Sequence, residues 1–371
     1  MKKNEILVIY GTEYKELTKQ LLEEADLAGM IGERKKRIAI KPNLVSAAPA
    51  DVGGTTHPEV VAGLIEYLQD RGYEKIKVME GSWVGDRTQE AFRVCGYRKL
   101  ASDYGVELVD CQKEPGVAVD AAGMEIQICK CVQDIDFLIN VPVMKGHCQT
   151  RITCALKNMK GLIPNKEKRR FHAEGLHRPI AHLNKAIHQD FVLVDGICGD
   201  LTFEEGGNPT QMDRLMAAAD PVLLDAYVCG LMDYRPDDVP YITLAEKLGV
   251  GCADVRKAAI HELDAPLHEA ILPDRERIMR LSDLAEEVES CSACYGYLLP
   301  ALDMLERDGL LKNFPEKICI GQGWRGKSGE LGIGNCTSKF CHSLKGCPPT
   351  EQEMYEFLKQ YIGSSVKSPT P

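Results

Sequence analysis

Six cysteines follow residue 290 of this chain, and their spacing is typical of metal or iron-sulfur ligands. A [4Fe-4S] cluster needs four thiolates that converge on one point. Cys291 and Cys294 form a Cys-x-x-Cys turn that would supply two of them. Cys336 in "GNC" and Cys347 in "GCPP" are the predicted third and fourth ligands, because each lies in a glycine-flanked loop.

Zinc is the alternative metal for these thiols. Structural zinc sites commonly repeat a Cys-x2–4-Cys spacing twice, whereas the second half of this region reads Cys-x4-Cys-x5-Cys. Reduced thiols without any metal are the third interpretation. Two further cysteines are predicted to be packing residues: Cys319 lies in the apolar run "ICIG", and Cys341 lies between Phe340 and His342.

A second group of chemically suitable residues lies in the segment 141–190, which is rich in Lys, Arg and His although the whole chain is acidic. Lys145 and His147 follow the apolar run "DFLINVPV" and are expected at the edge of a sheet. There Lys145 would attract a carboxylate or phosphate, and His147 or His172 would supply a proton. The run "NKEKRR" at 165–170 is interpreted as a solvated surface loop.

Other polar residues stand where predicted strands end. Lys41 and Asn43 belong to "KPN", Glu80 to "MEGS" and Asp195 to "VDG", and His57 stands at the start of a predicted helix. These side chains could face one shared cleft, although a turn or capping role is an equally good interpretation of each.

The elements that must position these residues alternate between strand and helix. The stretch 35–82 reads as a β-branched run, a Pro/Gly-rich loop, an amphipathic helix and a second strand, which is a βαβ unit. The same alternation of predicted strands and helices continues to "FVLVDGICG". The predicted fold is therefore α/β, a mostly parallel sheet with flanking helices, followed by a small cysteine-rich region. The predicted divisions are 1–275 for the α/β domain, 276–362 for the cluster-binding region and 363–371 for a disordered tail.

Composition narrows the classes of function. The chain has 371 residues, a formal net charge of -10 and a pI of about 5.5, which disfavours nucleic acid and anionic membranes as partners. The N-terminus has only a short apolar run, so a cytoplasmic protein is expected. Fifteen cysteines are an odd number and too sparse for a disulfide scaffold.

Several stretches together resemble the family catalogued as domain of unknown function 362: "IKPNLV", "GGTTHPEVVAGLIEYL", "VMEGS", "DFLINVPVMKGHCQTRITCALKNMKGLIP" and "VDGI". The resemblance spans roughly residues 36 to 230. It implies an iron-sulfur-associated protein, although the ferredoxin pattern common in that family is missing here. The residues predicted to bind substrate are Lys41, Asn43, Lys157 and Asn158.

Three hypotheses follow about function. The first is a [4Fe-4S] oxidoreductase or electron-transfer protein that acts on a small anionic substrate and exchanges electrons with a redox partner protein. The second is a non-redox protein with a structural zinc ion or cluster, which binds an anionic metabolite or transfers protons through His147. The third is an accessory factor that docks onto an iron-sulfur enzyme.

Overall fold

The computed structural model of the protein describes residues 1–314 and 316–365, and in these ranges the chain forms two compact units. The first unit holds residues 1–171 and 176–273, and the second holds residues 172–175 and the chain from 274 onward. The predicted boundary at 275/276 lies two residues from this division. The predicted tail begins inside the last helix, and its residues 366–371 lie outside the described ranges.

The first unit is built from strands and helices in alternation. Its strands are β1 (Glu5–Tyr10), β2 (Ile38–Pro42), β3 (Ile76–Glu80), β4 (Glu107–Asp110), β5 (Gly116–Asp120), β6 (Glu125–Cys129), β7 (Phe137–Val141), β8 (Lys145–His147), β9 (Arg151–Thr153), β10 (Phe191–Asp200), β11 (Pro209–Ala218) and β12 (Ala259–Glu262). Its helices are α1 (Tyr14–Glu24), α2 (Leu27–Ile31), α3 (Pro58–Asp70), α4 (Thr88–Val94), α5 (Tyr97–Tyr104), α6 (Ala155–Asn158), α7 (Asn165–Ala173), α8 (His177–Ala186), α9 (Pro221–Leu231) and α10 (Pro240–Lys247).

Eight of these strands form one sheet in the described chain, in the order β12-β1-β11-β10-β7-β2-β3-β4. Every neighbouring pair is parallel except β1–β11 and β10–β11. The predicted βαβ unit is present, since β2 pairs in parallel with β3 and α3 connects them. The α/β class with a mostly parallel sheet is therefore confirmed.

Alternation along the strands explains why both faces of this sheet are covered. In β1, Leu7 and Ile9 belong to one apolar core, while Ile6 and Val8 belong to the other. Helices α1 to α5 contribute to the first core, and α8 to α10 contribute to the second. Successive side chains of a strand point to opposite faces, so a sheet covered on both faces needs strands that are apolar throughout. Strand β7 is buried at all five positions, as "DFLINVPV" predicts.

The second unit holds a small parallel sheet and three helices among its described residues. Its elements are α11 (Arg275–Ser282), β13 (Ala285–Glu287), α12 (Ser292–Arg307), β14 (Ile318–Ile320), β15 (Leu331–Ile333), β16 (His342–Leu344) and α13 (Glu351–Ser365). The strands pair in the order β13-β14-β15-β16, all in parallel. In the part of the chain that the structure describes, no helix is long and apolar enough to cross a membrane.

Candidate functional site

Buried charges gather where the parallel strands of the first unit end. The charged side chains at this edge that are almost fully enclosed include Lys41, Glu80, Lys145, Lys157, Lys168, Asp195, Asp200 and Glu204. Charged groups are seldom fully buried unless they are paired. Ligands of open α/β sheets bind at this same edge, so the arrangement is the candidate site of the unit.

Lys41 is the centre of the first buried group. Its ammonium donates to the carboxylate of Glu80 at 2.9 Å, to the Pro42 carbonyl at 2.6 Å and to Asn158 Oδ1 at 3.3 Å. Glu80 also accepts the Leu44 amide at 2.7 Å. Lys41 and Asn158, both predicted to bind substrate, are thus brought together, but their polar atoms are occupied by the protein itself.

Lys145 has a similar environment and is fully buried. Its Nζ donates to the carbonyls of Gly54 and Glu204, both at 2.6 Å, and lies 3.4 Å from Asn43 Oδ1. Burial lowers the pKa of Lys145 to about 8. The ammonium therefore ties two loops together, and its predicted role toward an external anion remains a prediction that this geometry does not favour.

His147 and Lys157 share the carboxylate of Glu204. Lys157 Nζ lies 2.5 Å from Glu204 Oε1, and His147 Nε2 lies 2.8 Å from Glu204 Oε2, off the line of an ideal hydrogen bond. The Nδ1 atom of His147 accepts the amides of Gln149 at 2.9 Å and Thr150 at 3.1 Å. Because Nδ1 is an acceptor, the proton of the neutral ring lies on Nε2, which faces Glu204.

Burial lowers the pKa of His147 to about 3, against the opposing charge of Glu204. The ring is consequently neutral near pH 7 and has no second proton to give. A hydrogen-bonding role for His147 fits this state, whereas the predicted proton donor of suitable pKa does not.

The structure corrects the interpretation of the run "NKEKRR" as a solvated surface loop. It forms the first two turns of α7 and is not a solvated loop, and Glu167 and Lys168 are buried. Lys168 Nζ donates to the carbonyls of Gly81 at 2.8 Å and Ser82 at 2.7 Å, and burial lowers its pKa to about 8. Helical periodicity turns one side of the run inward, which its high charge conceals in the sequence.

His57 and Asp195 form a separate pair at the same edge. His57 Nδ1 lies 2.8 Å from Asp195 Oδ2, which also accepts the His57 amide at 2.7 Å. Burial by itself would lower the pKa of His57, but the charge and hydrogen bond of Asp195 outweigh it and raise the pKa above its usual value. The ring retains 10% of its side-chain exposure, and the hydrogen bonds of His57 among the described residues run through its backbone amide and Nδ1.

The third predicted catalytic residue, His172, belongs to the second unit. Its Nε2 atom lies 3.3 Å from the Ser292 hydroxyl, next to Cys291 in the chain. The structure thus assigns His172 to a different unit from Lys145 and His147.

The second unit brings the four predicted cluster ligands into one neighbourhood. Cys294 is largely buried, and burial followed by the charges of Cys291, Cys336 and Cys347 raises its pKa. Cys291 stands at the N-cap of α12, and the Cys294 amide donates to the Cys291 carbonyl at 2.9 Å. A helix N-terminus favours thiolates through its unpaired N–H groups and its dipole.

Two neighbours make this group suitable for a cluster. Gly334 has a φ of +87°, and a Cβ added there would lie 3.3 Å from Cys294 Sγ, so the glycine leaves space beside the sulfur. Arg325 hydrogen-bonds Cys336, and its pKa is raised by this bond and by the charges of Cys336, Cys291 and Cys347. Four cysteine sulfurs with a guanidinium beside them fit the donor set of a [4Fe-4S] cluster.

The other two cysteines of the region lie elsewhere. Cys319 Sγ contacts Glu286 at 4.0 Å, and Cys341 is exposed, so Cys341 is not the packing residue that its neighbours suggested. Within residues 1–314 and 316–365, no three His, Cys, Asp or Glu side chains are gathered in the way that a single metal ion requires.

A pocket of about 490 Å³ lies at the opposite edge of the first unit's sheet. It is lined by the start of β7 at Phe137, by His188 and Asp190 before β10, and by Asp220 after β11. Phe137 and Asp190 lie at the amino ends of parallel strands, and Asp220 lies at the same edge because β11 is antiparallel to β10. The pocket is therefore distinct from the buried charges described above.

The family model described as Domain of unknown function (DUF362) matches residues 38–230, just over half of the chain. The chain belongs to this family. The DUF362 match runs from β2 into α9 and includes His57, Lys145, Asp195 and Glu204, but it ends before the cysteines of the second unit. The family match therefore covers part of the first unit and does not include the four predicted cluster ligands.

Two known proteins are similar to this DUF362 chain. The "Thylakoid-associated protein sll1697" of Synechocystis sp. (strain ATCC 27184 / PCC 6803 / Kazusa) is 26% identical over 241 residues, which cover 62% of this chain and 73% of that protein. The lactate racemase apoprotein from Thermoanaerobacterium thermosaccharolyticum aligns with a TM-score of 0.43 and 14% identity, over 61% of this chain and 57% of that one. No substrate follows from a structural likeness of this degree.

Sequence reasoning missed two residues of these sites. Glu204, which joins Lys157 and His147, stands in "TFEEGGN", and the only signal was a pair of acids in a glycine-rich loop after a buried strand. Arg325, beside Cys336, stands in the glycine-rich stretch "GQGWRGKSGELG".

Proposed function

We propose that this protein binds one [4Fe-4S] cluster through Cys291, Cys294, Cys336 and Cys347 and works as a cytoplasmic oxidoreductase or electron-transfer protein. The observation that carries the proposal is the neighbourhood of Cys294, whose charged neighbours are the other three cysteines. The cluster would supply electron transfer, and a redox partner protein would exchange electrons with it.

Residues around the four sulfurs adjust the charge and the space that a cluster would need. Arg325 offsets part of the negative charge of the thiolates, and Gly334 keeps the space beside Cys294 free. The start of α12 holds Cys291 and Cys294 one turn apart. These contacts orient the sulfurs in advance, which lowers the entropy cost of binding a cluster.

Metal analysis of protein purified or reconstituted without oxygen tests the proposal. We expect about four iron and about four acid-labile sulfide per chain, and a large loss of both in Cys347→Ala. Cys341→Ala is the matched control, because Cys341 lies in the same segment and is exposed like Cys347, but it is not among the cysteines whose charges act on Cys294. Full iron content in Cys347→Ala would remove that residue from the ligand set, and stoichiometric zinc without iron would favour the structural-zinc alternative.

A second candidate function, proton transfer on a small anionic substrate, is supported by the His57–Asp195 pair. The carboxylate of Asp195 holds the imidazole through Nδ1, and Nε2 remains available for a proton. A general acid or base needs this orientation together with a pKa near the working pH. His57 therefore replaces His147 as the residue best suited to exchange protons, with Asp195 as its positioning residue.

Hydrogen exchange in D₂O tests this second function. The protein would be incubated with a panel of small 2-oxo and 2-hydroxy carboxylates, and loss of the C–H signal, at C3 of the 2-oxo acids or at C2 of the 2-hydroxy acids, would be followed by NMR. We expect exchange on at least one probe with the wild type and none with His57→Gln. Equal exchange by both proteins would exclude His57, and His147→Gln tests the original assignment in parallel.

A further inference from the structure

Three cysteines of the first unit form a thiol group apart from the predicted cluster ligands. Cys111 follows β4, Cys129 ends β6, and Cys131 lies in the short 3-10 turn Lys130–Asp134. The sulfurs of Cys111 and Cys131 are 3.9 Å apart, and the Cys129 thiol donates to the Cys111 carbonyl at 3.3 Å. Neither proposed function uses these residues.

Both members of the close pair are held by the same strand. The Cys111 amide donates to the Glu80 carbonyl at 2.8 Å, and the Cys131 carbonyl accepts Lys77 Nζ at 3.2 Å. Lys77 and Glu80 both belong to β3, so the two cysteine backbones share one rigid support. A disulfide bond is about 2.05 Å long, so the sulfurs need to approach by roughly 2 Å, which is within reach of a side-chain rotation.

The two thiols differ in access to solvent. Cys111 is fully buried, whereas Cys131 is partly exposed. A small reagent would therefore meet Cys131 first, and Cys111 would stand behind it as the resolving thiol. Hydrogen bonding within the group and burial raise the pKa of both residues, so the reaction should be slow near pH 7 and faster at higher pH.

We propose that Cys111 and Cys131 are a modification site that forms a reversible intramolecular disulfide, with a low-molecular-weight disulfide as the oxidant. The Cys131 thiolate attacks one sulfur of the reagent, the reagent S–S bond breaks, and one small thiolate leaves. The Cys111 thiolate then attacks Cys131 Sγ and displaces the second small thiolate. The two protein thiols lose two protons and two electrons, and the reagent disulfide becomes two thiols.

Peptide mapping of the full chain tests the site. Reduced protein would be treated with oxidised glutathione at pH 8, blocked with an alkylating reagent, and digested without reductant. We expect one peptide pair linked through Cys111 and Cys131, which dithiothreitol separates again. Modification of the exposed Cys341 reports that the reagent is active.

Three variants make the outcome decisive. Cys111→Ser should accumulate the mixed disulfide on Cys131, because the resolving thiol is missing. Cys131→Ser should leave Cys111 unmodified, because the reagent cannot reach it. Cys129→Ser is the matched control and should keep the link. A link between Cys111 and Cys129, or wild-type protein in which Cys341 is modified while Cys111 and Cys131 stay free, would overturn the proposal.

Discussion

Glu204 is the position where a single isosteric change tests the buried charges most directly. Its carboxylate contacts Lys157 at 2.5 Å and His147 at 2.8 Å, and all three side chains are buried. Lys145 is close enough for its charge to interact with both Glu204 and Lys157. In Glu204→Gln the shape is retained, but two buried ammonium groups lose the carboxylate that balances them.

Two estimates set the expected loss of stability. Removing one partner of a buried ion pair costs about 3–5 kcal/mol. A stranded lysine can also escape by releasing its proton, which at pH 7 costs about 5 kcal/mol from the ordinary lysine pKa. This escape sets an upper limit for one lysine, so we expect Glu204→Gln to lower the free energy of unfolding by about 3–5 kcal/mol.

Urea unfolding at pH 7, followed by far-UV circular dichroism, measures this difference. The control is Glu90→Gln, which removes the exposed partner of Arg93 and should leave the midpoint unchanged. The double variant Lys157→Met/Glu204→Gln should recover part of the loss, since it removes a charge that the single variant leaves unpaired. An equal midpoint for Glu204→Gln and Glu90→Gln would refute the view that this carboxylate stabilises the fold by balancing the buried lysines.

Three further predictions concern other parts of the chain. The pKa of His147 is about 3 in the folded protein and about 6.5 when unfolded, so the unfolded state binds the extra proton between these values. The neutral His147 ring therefore contributes up to roughly 5 kcal/mol to stability, fully above pH 6.5 and less and less as the pH falls toward 3. Urea midpoints of His147→Asn should depend less on pH than those of the wild type. Asp195→Asn should lower the pKa of His57, measured by NMR titration, and an unchanged value would contradict the pairing. Cluster-free protein should be cut by protease between residues 320 and 347 faster than cluster-loaded protein, and equal resistance would count against coupling of the cluster to folding.

The α/β class followed from local patterns of the sequence. Apolar runs such as 137–141 and the amphipathic stretch of α3 report burial through their periodicity, and periodicity is set by backbone geometry alone. The edge of the sheet that carries Lys41, Asn43 and Lys145 was also predictable, because parallel strands end at a common edge. The Cys291–Cys294 pair belongs to the same category, since a Cys-x-x-Cys turn is closed by neighbours in the chain.

What each side chain does at that edge was decided only by tertiary structure. Lys145 and His147 look like ligand-binding groups from their position, but the loop that carries Glu204 accepts a hydrogen bond from Lys145 and places its carboxylate beside His147. His57 is oriented by its contact with Asp195, which lies 138 residues away along the chain. Contacts of this kind depend on which loops meet. Burial then changes the free energy of ionising a side chain by several kcal/mol, so residue type and spacing alone could not determine the chemistry.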